Sequence, residues 1–65
     1  MIDPYDNLAN GIILLAVSDY RRAMKRGHQE MQAAIERFFR SSWFGELTAL
    51  NPERLIQRLQ EEAVS

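Results

Sequence analysis

The chain has 65 residues, a net charge of −1 and no cysteine, and 46% of its residues are hydrophobic and 26% charged. This length fits a single domain over residues 1–65, and the composition is that of a globular protein, which excludes a disordered chain. The absence of cysteine excludes disulfides, and the one histidine, His28, cannot build a zinc site alone.

The first helix is predicted over residues 4–26. Asp3 is a candidate N-cap, and Pro4 suits the first turn because its missing N–H is not needed there. Apolar residues then recur at spacings of three and four along one face. Leu14 falls near the opposite face, where a monomer would be expected to carry a polar residue.

Gly27 is expected to end this helix as a C-cap, and a second helix is predicted over residues 28–40. A continuous helix through Gly27 is the alternative, because a single glycine inside a helix costs only about 1 kcal/mol. One rod over residues 4–40 could hardly bury its apolar face in a monomer.

A short corner helix is predicted near residues 42–48, with Ser41 or Ser42 as its N-cap. The clearest start signal comes later, where Asn51 caps and Pro52 takes the first helical position, which predicts a last helix over residues 52–63. The sequence therefore predicts an all-α fold, a compact bundle of three main helices with a short corner helix. Because so small a core is marginal, self-association is an expected source of additional stability.

The segment ERFFRSSWF, residues 36–44, holds four of the six aromatic residues of the chain. The simplest interpretation is that these rings fill the corner between helices, since aromatic side chains bury a large area each. Partial exposure of Trp43 or Phe44 is the alternative, and Trp is enriched among binding hot spots. The predicted partner-binding residues, for a homodimer or another protein, are Leu14, Trp43 and Phe44.

Four bases lie within six residues at the end of the first helix: Arg21, Arg22, Lys25 and Arg26. Phosphate contacts need such clustering, which makes these residues candidates for nucleic-acid binding. Against this, the C-terminus of a helix favours bases in any case, and the chain is slightly acidic, with a pI of about 5.7. Nucleic-acid binding is therefore the second hypothesis, after protein binding.

Asp19 falls at the edge of the apolar face of the first helix, and a buried carboxylate needs a partner. We predict a structural link from Asp19 to Arg37, to Arg40 or to the indole of Trp43. The alternative is that Asp19 is partly exposed and binds Arg22 or water.

The sequence offers little for catalysis or for a membrane. It holds no phosphate-binding glycine loop and no metal-ligand spacing, so we expect neither an enzyme nor a cofactor. The longest apolar run, residues 12–17, is far shorter than the roughly 20 residues that span a bilayer. Asp3 and Asp6 precede it where a secretory signal would carry positive charge. We expect a cytoplasmic protein with no membrane partner.

Two stretches, NLANGIILLAVSDYRRAM (residues 7–24) and IERFFRSSWFGELTALN (residues 35–51), followed by LIQRL, resemble a group of small uncharacterised proteins. These helical proteins are encoded in bacterial prophages and integrative mobile elements, and the similarity spans about residues 5–59. The chain departs from the group in its shorter link around Gly27 and in Asn51-Pro52, where an Asp-Gly pair is frequent. The resemblance implies a context, mobile genetic elements, and it carries over no mechanism and no functional residue. From that context we expect an accessory factor that modulates a host process, such as defence.

Overall fold

The computed structural model describes residues 4–64, with side chains from residue 8 onward, and this part of the chain forms four helices and no strand. The all-α class and the small bundle are confirmed, and every predicted helix boundary within these residues agrees to within one residue. The predicted cap Asp3 lies outside the described residues. The helices are α1 (Pro4–Arg26), α2 (Gln29–Phe39), α3 (Ser42–Leu47) and α4 (Pro52–Val64).

The turn between α1 and α2 is made by Gly27, whose φ is +71°, in the left-handed region that favours glycine. The N–H of His28 donates to the carbonyl of Ala23 at 2.9 Å, and the N–H of Gly27 donates to that of Met24 at 3.3 Å. These two bonds form a Schellman motif, which satisfies carbonyls at the end of α1. The chain therefore reverses at Gly27, and the continuous rod is wrong.

Side chains cap the first turns of α3 and α4 as predicted. The hydroxyl of Ser41 accepts a hydrogen bond from the N–H of Phe44 at 3.2 Å and donates one to the carbonyl of Phe38 at 2.6 Å. The side-chain oxygen of Asn51 accepts from the N–H of Glu53 at 3.0 Å. Both caps supply acceptors for N–H groups that a first turn leaves unpaired, so local sequence is enough to start α3 and α4.

The core lies where α1, α2 and α4 meet, and α3 contributes Phe44 to it. Tyr20, Phe39 and Phe44 are fully buried and are the largest side chains within it. Phe39 and Phe44 pack edge to face with ring centroids 5.4 Å apart, and Phe39 also meets Tyr20 at 5.9 Å. The aromatic corner is therefore confirmed for Phe38, Phe39 and Phe44, but not for Trp43, which is half-exposed. The buried hydrophobic residues are Ile13, Val17, Tyr20, Ala23, Phe39, Phe44, Ile56 and Leu59.

One side of α1 is not covered by the other described helices. Its 23 residues make a helix of about 34 Å. The molecule is 39 Å long, so α1 runs along most of it. With 11 and 13 residues, α2 and α4 are much shorter and pack only on its inner face. The opposite side of α1 therefore faces solvent.

Candidate protein-interaction surface

The solvent side of α1 carries large apolar residues. Leu8, Leu14 and Leu15 keep 64%, 65% and 64% of their surface exposed. They lie in a run of twelve residues, 7–18, without a single charge. Two exposed small residues, Gly11 and Ser18, lie on the same side of the helix. We call this surface the α1 outer face, which consists of Leu8, Gly11, Leu14, Leu15 and Ser18.

The predicted binding residue Leu14 is exposed, in agreement with its place on the helix opposite the core. Its two exposed neighbours, Leu8 and Leu15, are not predicted as binding residues from sequence, because both lie at the margin of the predicted apolar face. The missing signal was the width of that face, since two short helices cannot cover an apolar stripe that extends so far around α1.

The adjacent aromatics Trp43 and Phe44 have opposite environments. Trp43 keeps 53% of its surface exposed and rests with its ring centroid 5.7 Å from that of Phe38. Phe44 is fully buried between Phe38 and Phe39, so its prediction as a partner-binding residue is wrong. The half-exposed indole of Trp43 stays a candidate for partner contact.

The basic cluster at the end of α1 is exposed throughout. Arg21 is engaged within the molecule, since its guanidinium lies 2.9 Å from the carboxylate of Glu62 on α4. Arg22, Lys25 and Arg26 form no ion pair with any of the described residues. Three of the four predicted phosphate-binding residues are therefore available to a ligand.

The predicted link through Asp19 is wrong. Within residues 8–64, the Asp19 carboxylate has no hydrogen bond or ion pair, and Arg37 has none either. Arg40 instead binds Glu53 on α4 with two bonds of 2.7 Å and 3.1 Å. Asp19 is half-buried rather than enclosed, so its carboxylate reaches water and needs no partner from α2.

The link between α1 and α2 is made one residue further along, by Tyr20. Its hydroxyl donates to the carboxylate of Glu36 on α2 at 2.7 Å. The same oxygen accepts from the side-chain amides of Gln32 at 3.4 Å and of Gln60, on α4, at 3.2 Å. A single phenol thus joins three helices. The signal in the sequence was a tyrosine in the middle of the apolar face of α1, whose buried hydroxyl requires a partner.

Electrostatics around this network follow from burial and charge. Burial raises the pKa of the Tyr20 phenol, and its hydrogen bond to the Glu36 carboxylate raises that pKa further. The hydrogen bond from Arg40 lowers the pKa of the Glu53 carboxyl. Because Arg40 and Glu53 are both exposed, this two-point ion pair orients α4 against the end of α2 and stabilises the fold only modestly.

We expect Asp19→Ala to change the free energy of unfolding by no more than about 0.5 kcal/mol, because no hydrogen bond or ion pair among the described residues is lost. Glu36→Ala is the matched removal of a carboxylate, and it should cost about 1–2 kcal/mol because the Tyr20 hydroxyl loses its acceptor. Urea denaturation of both variants, followed by circular dichroism, measures the difference. If both variants lost the same free energy of unfolding, Asp19 would have a structural role after all.

Neither a metal site nor a membrane span is found among the described residues. Within residues 8–64, no three His, Cys, Asp or Glu side chains are grouped so that they could hold a metal ion. None of the helices described combines the length and the apolar character needed to cross a bilayer. Comparisons with protein-family models, curated proteins and solved structures find no match to this chain. The arguments for function therefore depend on its own surfaces.

Proposed function

We propose that this protein is a non-catalytic helical module that binds another protein through the α1 outer face, with Trp43 as a second contact. The observation that carries the proposal is the exposure of Leu8, Leu14 and Leu15 together on one helix. Isolated exposed leucines are ordinary, but three in one uncharged segment are typical of an interaction surface.

The energetics support this interpretation. Complete burial of a leucine side chain is worth about 1.5–3 kcal/mol, and each of these three still has most of that gain available. Their sum is enough to offset part of the entropy lost on association. A helix that presents its apolar side to a partner is also a common recognition mode.

The biological setting that we propose follows from the resemblance of residues 5–59 to proteins of prophages and integrative elements. In that setting the protein is an accessory factor of a phage or mobile element that modulates a host process, such as a defence system. A short module with one exposed apolar helix face fits a role that needs binding and no chemistry. Its place of action is then the cytoplasm of the bacterial host.

The test is affinity capture of the tagged chain from a lysate of the bacterial host, read by mass spectrometry. Leu15→Glu places a charge in the α1 outer face and should abolish capture of any protein partner. Ala33→Glu is the matched control, because Ala33 is exposed on α2 and outside this face. Equal capture by both variants would contradict the proposal.

Nucleic-acid binding is the second candidate, favoured by the exposure of Arg22, Lys25 and Arg26. If it holds, nuclease treatment of the lysate removes the captured material. Arg21→Glu combined with Arg22→Glu would then remove binding to purified DNA or RNA, and the wild-type affinity would fall steeply with salt. Capture that resists nuclease and depends on Leu15 separates protein binding from this alternative.

A further inference from the structure

A cleft beside α4 contains none of the residues of the α1 outer face. It has a volume of about 770 Å³ and lies between α4 and the turn that leads into it. Leu50, in that turn, keeps 53% of its surface exposed, and Leu55, on α4, is half-buried and lines the same cleft. Binding sites for small molecules have volumes of about 300–1,000 Å³, so this cleft is large enough to take side chains of a bound partner.

The ion pairs of α4 leave positive charge on this cleft. Two acids of α4, Glu53 and Glu62, pair with arginines outside the helix at 2.7 Å and 2.9 Å. The two bases of α4, Arg54 and Arg58, are exposed, and their guanidinium groups form no ion pair or hydrogen bond with any described residue. Both arginines line the cleft and lie four residues apart, so they share one side of the helix.

One acid, Glu61, also lines the cleft, about two turns beyond Arg54. Its carboxylate accepts a hydrogen bond from the side-chain amide of Gln57 at 3.2 Å. Glu61 and Arg54 are separated by about 10 Å along the helix axis. The cleft therefore carries a net positive charge, which is concentrated toward the start of α4.

We infer that this cleft binds an acidic segment of the partner protein, and that the segment also places an apolar side chain against Leu50 and Leu55. Carboxylates of the segment pair with Arg54 and Arg58, since guanidinium groups bind carboxylates through two parallel hydrogen bonds. Charge complementarity contributes more to specificity than to affinity. The inference therefore rests on the proposed function, in which the α1 outer face supplies most of the affinity, and it names the chemistry of the partner.

A protein segment suits the cleft better than a nucleic acid does. A phosphodiester backbone would supply negative charge to the arginines, but it has no apolar side chain to cover Leu50 and Leu55. Its regularly spaced phosphates would also bring a negative charge toward Glu61, which repels it. An acidic protein segment avoids both problems, because carboxylates and apolar side chains can alternate along it.

The first test measures binding of a short fluorescein-labelled peptide of glutamate and leucine to the full chain, by fluorescence anisotropy. Arg54→Gln combined with Arg58→Gln should raise the dissociation constant at least about tenfold. Arg22→Gln combined with Arg37→Gln is the matched control, because it removes the same charge from exposed arginines that have no ion pair with described residues and lie outside the cleft. The control should change the constant less than about twofold. Equal effects of the two double variants would overturn the inference.

The second test measures the apolar part of the site. Leu50→Ser should weaken peptide binding roughly three- to tenfold, because apolar contact is lost while the buried core keeps all its residues. Val64→Ser changes an exposed apolar residue outside the cleft, and it should leave binding unchanged. A labelled single-stranded oligonucleotide should bind more weakly than the peptide. If it bound more tightly, and through Arg54 and Arg58, the inference would be overturned in favour of a nucleic acid.

The failure of this inference is distinguishable from the failure of the proposed function, because the peptide test does not involve the α1 outer face. Leu15→Glu should leave peptide binding unchanged. If the wild type binds no acidic peptide up to millimolar concentration, the inference is wrong, while capture from the lysate that depends on Leu15 still supports the proposed function. If the peptide binds through Arg54 and Arg58 but capture does not depend on Leu15, the proposed function is wrong and the cleft stands as a site for acidic segments.

Discussion

Phe44→Ala should unfold most of the protein at 25 °C. Phe44 is fully buried and packs its ring against those of Phe38 and Phe39, at 5.7 Å and 5.4 Å between centroids. Removing a buried phenylalanine side chain costs about 3–5 kcal/mol, through lost burial and the cavity left behind. A single core in a domain of this size rarely supplies more than about 3–5 kcal/mol of net stability, so this one truncation removes as much as the fold has, or more.

Trp43→Ala is the matched control for that result, because it removes a larger ring from the adjacent residue of the same short helix. Trp43 is half-exposed and touches the core through Phe38 alone among the aromatic rings described, so its loss should cost about 1 kcal/mol. Circular dichroism at 222 nm during thermal and urea unfolding measures both variants. If Trp43→Ala lowered the free energy of unfolding as much as Phe44→Ala, or more, the assignment of Phe44 to the core would be wrong.

Tyr20→Phe should cost about 1–2 kcal/mol at neutral pH, although it keeps the ring and its packing against Phe39. The lost hydroxyl serves Glu36, Gln32 and Gln60 at once, which join α1 to α2 and α4. Glu36 is only partly buried, so water replaces some of the lost interaction and holds the cost near this range. Urea denaturation of the two proteins at pH 7 gives the difference.

The difference in stability between the wild type and Tyr20→Phe should depend on pH, and the direction of the change can be worked out. Burial, with the Glu36 hydrogen bond, raises the folded-state pKa of the Tyr20 phenol above the value of about 10 that it has in the unfolded chain. Its stabilising contribution is complete below the unfolded pKa and is lost as the pH rises through the folded pKa. The stability advantage of the wild type over Tyr20→Phe should therefore shrink above about pH 10. Tyr5 is present in both proteins and cancels, and an advantage that grew with pH would contradict the network.

Local signals in the sequence account for most of the fold. The helix boundaries follow from Pro4, Gly27, Ser41 and Asn51, each of which acts on backbone groups within four residues of itself. Capping bonds, the left-handed glycine and the dipole preference for bases all operate at that range, so no knowledge of distant residues is needed. The exposure of Leu14 also follows from sequence, because its angle on a long helix is known.

The proposed binding surface could be predicted only in part, and one reason is that α3 is too short for its periodicity to be informative. A six-residue helix such as α3 completes less than two turns, so its periodicity cannot tell which of Trp43 and Phe44 points inward. The width of the exposed face on α1 is likewise a tertiary property. Leu8 and Leu15 are exposed because α2 and α4 both pack on the other side of α1.

By itself, the sequence determined that this chain is a four-helix, all-α domain with an aromatic corner, charged at both ends of its long helix and apolar between them. Only the tertiary structure decided that Phe44 is core and Trp43 is surface, and that Tyr20 rather than Asp19 joins the helices. The reason is that burial and long-range hydrogen bonds depend on how each helix is rotated about its own axis. That rotation is set by contacts such as Phe39 on Tyr20 and Arg40 on Glu53, whose partners are more than ten residues apart.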